Sequence, residues 1–229
     1  MPAQVLATRP DVFHQPIQVR PVAKETENGL PAAFAMMGAP LTFGRNEEVF
    51  GEGEGAEYLY RVNAGCIRTY KVLSDGRRQV GGFYLPGDVF GIEASDEHLF
   101  SAEAIVPSTV TVLKRSMVFS RAAGDSTLAR QLLELAGSEL HRAQSHVLLL
   151  IKTAQERVVG FLLEMAARAR SRTEIELPMS RQDIADYLGL TIETVSRTLT
   201  HLESVSAIAL PSARRVVVRN HLALSRFNA

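Results

Sequence analysis

Glu193 and Arg197 stand four residues apart in a stretch, TIETVSRTLT, whose apolar positions fall at helical spacing. At that separation the two side chains share one face within the first turns of a helix. A guanidinium pairs bidentately with guanine O6 and N7, and a carboxylate accepts from cytosine N4. Ser196 offers a hydroxyl and Ile192 an apolar tip, both suited to thymine. Thr191 and Thr200 bracket the same face. The plainer alternative is a surface ion pair, worth only about a few tenths of a kcal/mol. What favours base reading is the frame around the pair.

That frame runs from Met179 to Glu203 and predicts two helices joined by a tight turn. Ser180 is placed to cap the first, with Asp183 three residues on completing a capping box. Ile184, Ala185 and Leu188 fall on its inner face. Gly189 ends it, since glycine enters the left-handed region cheaply. Thr191 caps the second helix, whose buried stripe is Val195, Leu199 and Leu202. Recognition helices of helix-turn-helix proteins aim their first turns at base edges. Ser180 and Arg181, opening the preceding helix, are placed to hold phosphates.

The run ADYLGLTIETVSR, with Glu193, Ser196 and Arg197, resembles the Crp/Fnr family of bacterial transcription regulators, and within it the FixK-like group. Gly51 to Asp88 is similar to that family's effector-type β-roll, and the resemblance extends from about Phe43 to about Asn220. It implies an α+β fold: an N-terminal double-stranded β-roll (jelly roll), a long dimerisation helix and a C-terminal winged helix-turn-helix. It also implies a homodimer on double-stranded DNA, a TTGA-type palindromic operator and activation through contact with RNA polymerase. FixK-like regulators typically control low-oxygen respiration and nitrogen-fixation genes. The expected boundaries are a flexible arm at 1–28, the roll at 29–122, the dimerisation helix at 123–154 and the DNA-binding domain at 155–229.

The bulk composition agrees with such a reader. The 229 residues carry 22% charged residues and a net charge of zero, which argues against a sequence-blind nucleic-acid coat. From Arg168 to Ala229, however, nine Arg and no Lys face six Asp or Glu, an excess of +3. A sequence-specific binder needs only that local excess. There is one cysteine, Cys66, and no Cys/His cluster at metal-ligand spacing. No basic-then-apolar leader opens the chain, and no apolar run approaches the roughly 20 residues that span a bilayer. The expectation is a cytoplasmic protein with no membrane partner and no cofactor. No nucleophile–base pair, Walker loop or metal set suggests an enzyme.

The first 28 residues, with Pro2, Pro10, Pro16 and Pro21, show no periodicity and read as a flexible arm. Oxygen-sensing relatives carry iron–sulfur cysteines there, and this arm has none. From about Leu30 to Phe119 the pattern is short β-runs separated by turns: Tyr58–Val62, Ile67–Leu73, Val80–Leu85 and Val110–Leu113, with Ser74-Asp75-Gly76 as a hairpin. In cyclic-nucleotide-binding relatives an Arg grips the phosphate. Here no Lys or Arg occurs from Gln79 to Leu113, while Asp88, Glu93, Asp96, Glu97 and Glu103 make the stretch acidic. A phosphate would find no donor there. His98, the one residue of that loop able to ligate haem, reads as a solvated side chain, and Cys66 as a small, partly buried one. A haem- or nitric-oxide-responsive regulator of denitrification-type genes is the alternative within the family.

From Ser126 to Thr153 the period turns helical. Leu133, Ala136, Leu140, Ala143, Val147 and Leu150 form an a/d heptad seam free of charge, the expected dimer interface. Leu128, Leu132 and Leu149 would pack on the roll. Glu134, Glu139, Arg142 and Lys152 lie off the seam and are expected to be solvated. An unopposed seam implies pairing without a ligand, hence a constitutively competent regulator controlled through its own expression or turnover. Gln155 to Arg170 reads as a further helix and Ser171 to Leu177 as a strand. Ile208–Leu210 and Val216–Val218 then make a wing whose tip Arg214 and Arg215 either touch phosphates or stay solvated.

Overall fold

The computed structural model describes residues 29–227 apart from 170 and 172. The flexible arm expected at 1–28 lies outside the described residues.

The described residues open with a helix, not a strand. Leu30–Met37 (α1) starts at Gly29, with Pro31 in its first turn, where a missing N–H costs nothing. The short β-runs expected from Leu30 onward therefore begin only at Ala39. Eight strands follow: Ala39–Phe43 (β1), Glu48–Phe50 (β2), Tyr58–Ala64 (β3), Ile67–Val72 (β4), Arg78–Tyr84 (β5), Val89–Phe90 (β6), Ser101–Ala104 (β7) and Ser108–Lys114 (β8). They form two antiparallel four-stranded sheets, ordered β1-β8-β3-β6 and β2-β7-β4-β5. Phe50, Tyr60, Val62, Ile67, Tyr84, Phe90 and Val110 fill the space between them.

Arg115–Ala122 (α2) leads into Ser126–Leu150 (α3), which Asp125 caps by accepting from the Leu128 N–H at 3.0 Å. Leu128 and Leu132 are buried with Leu30, Phe34, Leu59 and Leu113 on the outside of the first sheet. The helix stops at Ile151. A second one, Ala154–Arg168 (α4), restarts with a Thr153/Glu156 capping box.

Glu174–Glu176 (β9), Arg181–Leu188 (α5), Ile192–Ser204 (α6), Ile208–Ser212 (β10), Arg215–Val218 (β11) and His221–Arg226 (α7) are the remaining elements of the described residues. The sheet order β10-β11-β9 sets the wing beside the two short helices. A single apolar cluster unites Cys66, Val80, Phe83 and Ile105 of the roll with Phe161, Leu162, Ile184, Tyr187 and Leu199 of the C-terminal helices. Among the described residues no helix is long and apolar enough to cross a membrane.

Candidate DNA-reading face

The two helices of the reader are set by local hydrogen bonds. Ser180 Oγ accepts from the Asp183 N–H at 3.1 Å, and Asp183 Oδ2 accepts from the Ser180 N–H at 2.8 Å and its hydroxyl at 2.7 Å. Gly189 ends α5 at φ 61° in the left-handed region, where a side chain would be strained. Thr191 Oγ1 accepts from the Thr194 N–H at 3.2 Å and starts α6. Val195, Leu199 and Leu202 are buried, as are Ile184, Ala185 and Leu188 opposite them.

This burial turns Ile192, Glu193, Arg197 and Thr200 outward, with Ser196 half-buried between them. The i,i+4 ion pairs among the described residues include Arg130–Glu134 and Arg168–Glu164; Glu193–Arg197 is not one of them. Both charges are left to face an approaching partner. Thr200 Oγ1 donates back to the Ser196 carbonyl at 3.0 Å. A shallow concavity along this face is lined by Glu193, Ser196, Arg197, Thr200, His201 and Ser204. The face expected from sequence runs from Thr191 to Thr200. His201 and Ser204 extend it along the same i,i+4 rows, a periodicity visible in the sequence.

Ser180 donates its N–H and its hydroxyl to Asp183, so the group free at the head of α5 is Arg181. Its Nε is buried without a hydrogen-bond partner. At the wing tip Arg214 and Arg215 are both exposed, and Arg215 is ion-paired with Glu174.

On α3, Leu133, Leu140 and Val147 are 74%, 60% and 62% exposed, an unusual state for three large apolar side chains on one helix. Ala136 and Ala143 lie exposed between them, and Leu150 is half-buried at the end. Glu139 and Arg142 are not the solvated flank expected. Glu139 accepts from the Tyr84 hydroxyl at 3.0 Å, and Arg142 lies over the Tyr84 ring, 5.0 Å from its centroid. Burial against the roll raises the Glu139 carboxyl above its ordinary range.

His98 is likewise buried rather than solvated. Its ring stacks on Phe50 with centroids 3.5 Å apart, beside Tyr60, and burial pushes its pKa down against the pull of Glu93. Phe50, Tyr60, Phe90 and Tyr84 continue the stack through the roll with centroid spacings of 4.9–5.1 Å. Cys66 is fully buried, more than expected, and burial pushes its thiol up to about 12.

Residues 156–227 match a family described as a Crp-like helix-turn-helix domain, and residues 40–123 match a cyclic nucleotide-binding domain. The chain is also 50% identical over 210 residues to the nitrogen fixation regulation protein FixK of Azorhizobium caulinodans, across 89% of this chain and 85% of that one. The chain belongs to the Crp/Fnr family. A second member, FixK of Rhizobium meliloti, is 41% identical over 90% of this chain and 95% of its own. The solved structure of FixK2 from Bradyrhizobium japonicum superposes with a TM-score of 0.82 at 47% identity, covering 85% of this chain and 98% of that one. The protein is thus a FixK-type Crp/Fnr transcription regulator with a DNA-binding helix-turn-helix. Crp/Fnr regulators bind DNA, typically as dimers.

Proposed function

We propose that the protein activates transcription as a homodimer on a TTGA-type palindrome, controlling low-oxygen respiration or nitrogen-fixation genes. The observation that carries this reading is the α6 face, where Glu193 and Arg197 are exposed on a helix capped by Thr191 and not ion-paired to each other. Arg197 reads guanine and Glu193 the paired cytosine or its neighbour. Ile192 and Ser196 contact thymine, Thr191 and Thr200 border them, and Arg181 holds a phosphate that Ser180 helps to place by capping α5.

The second copy docks along Leu133, Ala136, Leu140, Ala143, Val147 and Leu150. A two-fold operator requires a two-fold protein. An exposed heptad stripe without charge is the surface that a copy of itself fits. The helix break at Ile151–Thr153 supports a boundary between dimerisation helix and reader at 154/155. The aromatic stack inside the roll supports action without a small-molecule effector. Contact with RNA polymerase completes the activator role.

Gel shift of the ligand-free protein on a TTGA-type palindrome, against a scrambled duplex and with added cyclic AMP, tests the reading. Tight specific binding indifferent to the nucleotide is expected. Binding only after the nucleotide is added would overturn it.

A further inference from the structure

The Asp183 carboxylate faces two ways. Its Oδ2 caps α5, whereas its Oδ1 accepts from Arg68 of β4 and, at 3.0 Å, from Arg78 of β5. Arg68 also meets both oxygens of Glu103 on β7, at 3.0 and 3.1 Å. The side chains of Arg68 and Asp183 are 8% and 7% exposed, so this is a buried charge cluster, closed on the reader side by carboxylates of α5. One turn further along α5, Asp186 accepts from Arg78 Nε at 2.8 Å, and the Tyr187 carbonyl accepts from Gln79 Nε2 at 3.3 Å.

Buried ion pairs are costly to desolvate, and their best-attested use is to fix one geometry among several. The chain joining α3 to α4 is a short non-helical link at 151–153, and a link of that kind fixes no angle by itself. The roll's arginines act on α5 from the far side of that link. They hold the helix that sets where α6 points.

We propose that Arg68 and Arg78, through Asp183, are positioning residues that set the distance between the two recognition helices of the dimer and hence the half-site spacing it accepts. This inference rests on the proposed mode of DNA reading. Successive base pairs are about 3.4 Å apart, so a small swing about 151–153 suffices to change register by one. With the latch closed, only one spacing fits both helices.

The test replaces the charges on the roll side by a neutral hydrogen-bonding pair, R68Q/E103Q, and leaves Asp183 to Arg78 and to its capping role. Thermal melting checks the fold. Arg78→Gln, at a less buried position, is read in parallel and carries the test if the double variant does not fold. Affinity is measured for a TTGA-type palindrome one turn apart and for duplexes with one base pair added or removed between the half-sites. The wild-type protein is expected to lose about tenfold or more on the altered spacings, and the variants less than about threefold. Variants that keep the wild-type discrimination, or lose all duplexes equally, would overturn the inference. A wild-type protein that does not prefer the palindrome to scrambled DNA overturns the DNA-reading proposal first, and this one with it.

Discussion

The imidazole of His146 lies flat against the ring of Tyr187, with centroids 4.0 Å apart and planes 9° from parallel. The ring nitrogen Nε2 donates to the Tyr187 carbonyl at 2.7 Å. His146 sits on α3 next to Val147 of the exposed stripe, and Tyr187 lies in the first helix of the reader. The helix proposed for dimerisation and the first helix of the reader thus meet in this one residue pair. Phe83 and Phe161 close on Tyr187 from the roll and from α4.

Replacing Arg197 by Ala removes the bidentate donor and leaves α6 intact, because the side chain is exposed. The expected loss on the palindrome is about 1–3 kcal/mol, with relaxed preference at one base pair per half-site. Binding to a panel of single-base operator variants reads it out. Equal losses on specific and random DNA would remove Arg197 from base reading.

Leu140→Glu places a charge in the middle of the exposed stripe, where two copies would meet. Because Leu140 is 60% exposed in the single chain, the fold should survive, with circular dichroism unchanged. Sedimentation should show the dimer lost at micromolar concentration, and affinity for the palindrome should fall with it. A variant that still sediments as a dimer would move the interface elsewhere.

His98 and His146 both have lowered pKa values because burial disfavours the imidazolium. Each proton binds the unfolded chain more readily than the folded one, so the sign of the linkage is fixed. Stability is full above the unfolded pKa of about 6.5 and falls as pH drops through the lowered folded values. Denaturant unfolding at about pH 7.5 and about pH 5 should show this loss, and His98→Phe should reduce it. A slope unchanged in that variant would place the acid sensitivity in other groups.

Cys66 is out of reach of solvent, and its thiol is protonated at neutral pH because burial holds its pKa near 12. A thiol reagent should label the native protein no faster than the chain unfolds, and label it at once in denaturant. Rapid labelling of the native protein would show that the thiol is reachable and reactive in the folded chain.

The reader was legible in the sequence because its determinants are local. Ser180 with Asp183, Gly189, and Thr191 with Thr194 act within a few residues of one another, and types and spacings reveal such bonds. Arg68 was not legible. On an alternating strand it reads as a solvent-facing position, and the partner that buries it, Asp183, is 115 residues away. His98, Glu139 and Arg142 were misjudged for the same reason, since Phe50, Tyr84 and the roll surface reach them only in the folded chain. The opening helix α1 escaped because LPAAFAMM has no polar face to set a period.

The apolar cluster that runs from Cys66 and Phe83 through Tyr187 to Leu199 has no seam where the roll ends and the reader begins. The two parts are therefore poor interchangeable modules. A reader grafted from a relative would arrive with side chains shaped to a different outer sheet, and would expose on both halves the surface that each now hides in the other. New operator preferences should then arise more readily by substitution on α6 than by exchange of whole domains.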